Sequence, residues 1–227
     1  MKDVKEFQEK MGKCSIAKEY DMDTKGYIVS KRIMDIILSL AGIVFFFPLF
    51  ILAALAIKAE DPNGPVIFKQ MRVGKNGKTF KMYKFRSMVT DAEQLVEKLM
   101  DKNELSGPVF KMKDDPRVTR TGKFIRKTSI DEIPQLINII MGDMSIVGPR
   151  PPLPREVESY TEFQMQRLCV KPGLTCYWQI SGRDSISNFD ERVALDIKYI
   201  RERCLWTDMT IILKTVPALL NDSNSAS

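Results

Sequence analysis

Two adjacent carboxylates, Asp131 and Glu132, stand inside the run Ser129-Ile130-Asp131-Glu132-Ile133-Pro134. Such a pair can supply a nucleophile, an acid–base couple or a metal ligand. A plainer reading competes with that chemistry. Ser129 followed by Glu132 matches a capping box, in which the third helical residue reaches back to the cap. Acidic residues in a first helical turn are also favoured by the helix dipole. Pro134 weighs against the plain reading, because proline sits comfortably only in a first turn and so moves the helix start later. A helix N-terminus here would stabilise an ionised aspartate and attract a phosphate. Arg117, Arg126 and Arg150 flank the pair, and guanidinium forks match phosphate oxygens two at a time. Each alone reads as a solvated charge. As a set, with Arg150 in the elbow Gly148-Pro149-Arg150-Pro151, they point to an anionic substrate.

Composition narrows the chemistry further. The chain of 227 residues contains no histidine, which excludes Ser-His-Asp and Cys-His catalysis, His-based zinc sites and a His general base. Cys14, Cys169, Cys176 and Cys204 show no Cys-x-x-Cys spacing. They read as reduced thiols of a cytosolic compartment, with no disulfide framework. A net charge of +6 suits anionic partners, whether nucleic acid, a membrane surface or a phosphorylated small molecule. Arginine-rich stretches without aromatic interleaving or a helix-turn-helix pattern argue against nucleic acid. Val73 to Lys78 lacks the Walker spacing, and no Gly-x-Gly-x-x-Gly occurs.

The elements that must position these residues begin with an apolar run, Ile33 to Ile57. Its length reaches the roughly 20 residues that cross a bilayer as a helix. Asp35 and Ser39 are its polar interruptions, and Pro48 in its middle should kink a helix. Asp35 is expected to pair with Arg32. Basic residues flank both ends: Lys31 and Arg32 before, then Lys58, Lys69, Arg72, Lys75 and Lys78. A single span would carry one basic flank; two suit a bent hairpin that enters and leaves on one face. From the residues alone, hairpin and full span stand level. Downstream, the pattern predicts short strands over 66–68 and 79–85 around a 74–77 turn, and helices over 91–103, 129–141, 156–168 and 189–203. A turn-rich loop covers 171–183. Residues 205–220 are amphipathic and lie either at a membrane interface or on the core.

Read in order, several motifs resemble the bacterial sugar transferase family, the monotopic phosphoglycosyl transferases. They are Lys31-Arg32-x-x-Asp35, Tyr83-Lys84-Phe85-Arg86-Ser87-Met88, Asp115-Pro116-Arg117-Val118-Thr119, Ser129 to Leu136, Gly142 to Pro151, and Lys171-Pro172-Gly173-Leu174-Thr175. The resemblance implies transfer of a hexose-type sugar-1-phosphate from a UDP-sugar to undecaprenyl phosphate, releasing UMP, as a first membrane step of glycan assembly. It implies a Mg2+ cofactor, Asp131 as nucleophile forming a covalent phosphosugar, and Glu132 assisting through metal or proton handling. Asp131 and Glu132 are also the candidate metal ligands. Arg117, Arg126 and Arg150, with Lys84 and Arg86, would bind phosphate. Lys171, Pro172, Gly173, Thr175 and Arg183 would lie close to the nucleotide.

The implied fold class is α+β and mostly helical: a re-entrant membrane hairpin bent at Pro48, and a small cytosolic catalytic domain with interfacial helices and a short β-hairpin. The expected division is a polar arm over 1–28, the membrane helix over 29–60, the catalytic domain over 61–220 and a disordered tail over 221–227. The implied location is the cytoplasmic face of the bacterial inner membrane, with membrane lipids as partners and no nucleic acid; self-association is left open. Some small family members carry Ser-Pro at the bend, whereas this chain has Phe47-Pro48. The chain lacks the multi-span region of longer relatives and is expected to be a minimal catalytic form. A membrane-anchored nucleotide-sugar-binding or scaffold protein without turnover is the alternative.

Overall fold

The computed structural model describes residues 24–99, 101, 108, 112, 114–182, 186 and 188–225. It is mostly helical, with two small sheets.

Helix α1 (Lys25–Glu60) starts at Lys25, where Thr24 caps it, and continues through Pro48 as one helix. One stripe of it faces the rest of the chain. Asp35, Ser39, Ala53 and Ile57 are buried on that stripe, with Ile43, Leu49 and Phe50 packed beside them. The opposite stripe, Ile33, Ile37, Leu40, Val44, Phe47, Ile51 and Leu55, recurs at helical spacing and is exposed throughout, Val44 to 76%. A helix apolar on both faces with only one face covered needs an apolar neighbour on the other.

Both ends of α1 are anchored on the same domain. Asp35 does not pair with Arg32; it accepts from Ser145 Oγ and the Ile146 N–H, each at 3.0 Å. Arg32 instead donates to the carbonyls of Ile139 and Ile140, at a helix C-terminus where unpaired carbonyls and the dipole favour a cation. Lys31 and Tyr27 both donate to buried Asp208, at 2.9 and 3.0 Å. At the other end Glu60 accepts from the Arg120 and Thr121 N–H groups, and Asp61 pairs with Arg86.

Strands β1 (Ile67–Val73) and β2 (Thr79–Phe85) form the expected hairpin around Lys75–Gly77, with Ile67 opposite Phe85. On β2, Phe80 and Met82 point into the main core, and Lys84 shares their face by the period of two. Phe85 points the other way, into a cluster with Ala53, Ile57, Ile125 and Ile130. Helix α2 (Ala92–Leu99) follows, then α3 (Arg120–Lys127), which Thr119 caps. The helix expected over 129–141 is split into a 3-10 turn, Ile130–Glu132, and α4 (Gln135–Met141).

Beyond α4 lies a feature the pattern did not reveal. Strands β3 (Ser145–Val147) and β4 (Gly173–Thr175) pair in parallel, with β4 emerging from the loop expected over 171–183. Three-residue strands carry too little alternation to be read from sequence. Gly148 and Gly173 permit their approach: a Cβ on Gly173 would stand 2.1 Å from the Gly148 nitrogen. The helix expected over 156–168 is divided into α5 (Pro154–Glu158), α6 (Glu162–Met165) and a 3-10 turn. Helix α7 (Tyr177–Ile180) precedes α8 (Phe189–Glu202) and α9 (Leu205–Ser225), which runs past residue 220. Cys176 and Cys204 are free, but Cys169 is disulfide-bonded, correcting the reading of four reduced thiols.

Asn138 ties α4 to the hairpin. Fully buried, it accepts from the Tyr83 N–H at 2.9 Å and donates to the Lys81 carbonyl at 2.8 Å, completing the open edge of β2. Asn138→Ala strands both backbone groups, and each unpaired buried group costs about 1–3 kcal/mol. Thermal unfolding in detergent should show a midpoint several degrees lower; an unchanged midpoint would remove this tie from the fold.

Candidate active site

The acidic pair sits on the 3-10 turn between α3 and α4. Ser129 opens that turn with φ +56°, and its side chain makes no capping bond. The capping-box reading therefore fails: a left-handed residue cannot begin a helix as an N-cap does. Pro134 stands at the cap of α4 instead, so the helix starts late. Ile130, pressed among Ala53, Ile57, Phe85 and Ile125, pins the turn from beneath.

Lys84 reaches both carboxylates. Its Nζ lies 2.8 Å from Glu132 Oε1 and 3.5 Å from Asp131 Oδ2. Asp131 is buried, while the Glu132 side chain is partly exposed. Burial raises the pKa of Asp131 above the ordinary carboxylate range; the Lys84 charge opposes that rise, Glu132 adds to it, and Arg126 opposes it again. The result is an aspartate close to cations yet poorly solvated, a state suited to attack on an electrophile.

The expected phosphate-binding set divides. Lys84 joins the acidic pair, and the charge of Arg126 acts on Asp131 from the last turn of α3. Arg150, half-buried, lines a concavity with Glu156, Arg167, Trp178 and Arg192. Arg117 is turned away: buried, it pairs with Asp115 at 2.6 Å and donates to the Ala92 carbonyl. Arg86 is likewise engaged with Asp61 at the end of α1. Among the loop residues, Pro172, Gly173 and Thr175 build the β3–β4 contact that backs the Arg150 elbow. The Ser145 N–H donates to Pro172, the Gly173 N–H to Pro149, and the Gly148 N–H to Thr175. Lys171 sits beside Gly142 and Arg32, at the other end of α4 from Asp131. Arg183 lies outside the described residues.

One basic residue escaped the sequence reading. Arg72 on β1 is buried, donates to the Pro151 carbonyl at 3.0 Å, and feels the charges of Arg150, Glu156 and Glu132. It ties β1 to the elbow. No alternation marked it: Arg72 and its neighbour Val73 are both buried at the end of β1, so the sequence pattern carried no signal.

Among the described residues no group of three Asp, Glu, Cys or His side chains could hold a metal ion. Magnesium, however, keeps several waters and is bound through one or two carboxylates plus substrate phosphates. Asp131 and Glu132 meet that requirement only together with a phosphorylated ligand.

Known proteins bear on this arrangement. The profile of the bacterial sugar transferase family matches residues 26–222. The galactosyl transferase CpsE of Streptococcus agalactiae serotype III (strain NEM316) is 48% identical over 194 residues, covering 86% of this chain and 43% of that protein. The exopolysaccharide production protein ExoY of Rhizobium meliloti (strain 1021) is 40% identical over 195 residues, covering 84% of this chain and 85% of ExoY. The UDP-glucose:undecaprenyl-phosphate glucose-1-phosphate transferase of Escherichia coli (strain K12) is 39% identical over 216 residues, 92% of this chain and 44% of that enzyme. The chain thus spans less than half the length of several curated relatives it matches.

The raised pKa of Asp131 has a direction that can be measured. Its folded pKa lies above the unfolded one, so the protonated form favours folding and stability is lost as pH rises through the folded value. Activity that needs the carboxylate should therefore rise with pH along a limb above the ordinary aspartate range. Lys84→Met removes the opposing charge and should move that limb to higher pH in a kcat/KM profile. A limb that stays in place would separate Lys84 from the ionisation of Asp131.

Proposed function

The chain belongs to the bacterial sugar transferase family, and from that premise we propose that it moves a sugar-1-phosphate from a UDP-sugar to undecaprenyl phosphate. The observation that carries the proposal is the buried Asp131 held beside Glu132 under the Lys84 ammonium. Relatives named for undecaprenyl-phosphate galactose and N-acetylgalactosamine transfer support the acceptor and a hexose-type donor.

In the proposed first step a carboxylate oxygen of Asp131 bonds to the phosphorus that carries the sugar. The bond from that phosphorus to the bridging oxygen breaks, and UMP leaves with the electron pair. In the second step an oxygen of the lipid phosphate bonds to the same phosphorus and the Asp131 carboxylate is released, giving a ping-pong sequence. Lys84 and Arg126 reduce the repulsion between a carboxylate and an anionic diphosphate, the main obstacle to the attack. Magnesium held by Glu132 and Asp131 with the diphosphate would supply further neutralisation of its charge.

The proposed setting is the cytoplasmic face of the inner membrane. The bare stripe of α1 and a second exposed row on α9, Trp206, Met209, Leu213 and Val216, offer apolar surface to lipid. Anchoring of both α1 ends on one domain supports entry and exit on the same side.

Asp131→Asn should lower UMP release from UDP-sugar by roughly a thousandfold or more. It should not lower the thermal midpoint at neutral pH, because it removes a buried charge whose ionisation opposes folding. Turnover at the original rate would sink the nucleophile assignment; a folded protein that binds donor without turnover in its original form would leave only the scaffold reading. For the topology, Lys25→Cys and Asn76→Cys in a cysteine-depleted background should both react with an impermeant maleimide from the cytoplasmic side. Labelling from opposite sides would make α1 a full span.

A further inference from the structure

Ser129 stands two residues before Asp131 with φ +56° and ψ +16°. Among the described residues the other non-glycine with a positive φ is Asn76, at the tip of the β1–β2 hairpin. Asparagine tolerates that region; a serine there is uncommon and keeps the conformation only where its surroundings hold it. They do so on both sides. The Ser129 N–H donates to the Arg126 carbonyl, and its own carbonyl accepts from the Glu132 N–H, each at 3.1 Å. Thr128 ends α3, so Ser129 occupies the position after a helix end that glycine ordinarily fills in the left-handed conformation.

That one backbone state decides where the acidic pair goes. Helix α3 has little freedom to adjust: Glu60 accepts from the Arg120 and Thr121 N–H groups at its start, and Ile125 is buried under α1 along its length. Had Ser129 been right-handed, α3 would run on, and residues five apart on a helix point about 140° away from each other. Ile125 and Ile130 could not then share the cluster with Ala53, Ile57 and Phe85 in which both are buried. The left-handed residue turns the chain back, seats Ile130 in that cluster and leaves Asp131 and Glu132 at 3.5 and 2.8 Å from Lys84 Nζ. We infer that Ser129 is a positioning residue, acting through its backbone: its left-handed turn stops α3 and aims the Asp131 carboxylate. The inference rests on the transfer reaction proposed above and adds to it the residue that places the nucleophile. A misplacement of about 1 Å costs a reaction about a hundredfold, and it falls on the chemical step because the attacking oxygen is what moves.

Backbone and hydroxyl roles predict opposite orders of activity among variants of Ser129. Glycine loses the hydroxyl but takes a positive φ freely; threonine keeps the hydroxyl but is branched at Cβ, as valine is, and resists a positive φ. In UMP-release assays on the full chain in detergent, Ser129→Gly should keep kcat near the original value. Ser129→Thr should lower it roughly tenfold and Ser129→Val about a hundredfold, each with KM for UDP-sugar little changed. Asn76→Val places the same strain far from the acidic pair, so it should lower the thermal midpoint and leave kcat alone. Loss of activity in Ser129→Gly as large as in Ser129→Val, full kcat in both Ser129→Thr and Ser129→Val, or a loss confined to KM would each overturn the assignment. If Ser129→Val does not fold, the contrast between glycine and threonine decides. Wild-type protein that releases no UMP sinks the transfer reaction and the positioning role with it, whereas an active wild type with the wrong order of variants sinks the positioning role alone.

Discussion

One ammonium group between two adjacent carboxylates is the contact on which the site depends. Two like charges about 4 Å apart repel by about 4 kcal/mol at an effective dielectric near 20, and burial of Asp131 adds a desolvation cost. Lys84 makes the arrangement tolerable, and only the position of β2 puts it there. The strand is gripped on three sides: Phe80 and Met82 enter the main core, Phe85 enters the cluster under α1, and Asn138 completes its free edge. The acidic turn is gripped from the same directions through Ile130 and through α4. Cation and carboxylates are thus held by one shared set of contacts, so their spacing does not rest on flexible side chains alone.

The apolar helix takes part in this. Ala53 and Ile57 pack against Ile130, the residue immediately before Asp131, while Glu60 caps the helix that carries Arg126. At its other end, Asp35 fixes the start of β3, which leads into the Arg150 elbow. A segment that reads as a membrane anchor is therefore also a wall of the site. That double use accounts for its polar interruptions: Asp35 and Ser39 lie on the domain side, and the outward stripe is wholly apolar. Charges within an apolar segment that face protein rather than lipid carry a positional role.

Much of this was legible in the chain. Length and hydropathy gave α1, the glycine turn gave the β1–β2 hairpin, and Pro134 signalled the late start of α4. The roles of the arginines were less legible. Arg86 and Arg117 stand in the same motifs as Lys84 and Asp115, yet both are spent on ion pairs with Asp61 and Asp115. A sequence shows which residues carry charge but not which charges already have partners. The same limit hid Arg72 and Arg167, whose value comes from Pro151, Asp196 and Tyr160, residues brought to them by tertiary folding. Arg32 and Asp35, three apart on one helix, satisfied a local pairing rule but each found a better partner on the domain.

The missing histidine acquires a meaning in the proposed reaction. A phosphate monoester loses its second proton near pH 6, so UMP departs at neutral pH without a proton from the protein. The lipid phosphate attacks through an oxygen that is already ionised, and so needs no general base. Neither step calls for a group that titrates near 7, the task for which histidine is suited. What both steps demand is compensation of negative charge where a carboxylate, a diphosphate and a second phosphate must meet. Lys84 and Arg126 provide it beside Asp131. A site of fixed cations around one poorly solvated aspartate thus suits the proposed transfer, neither step of which calls for a histidine.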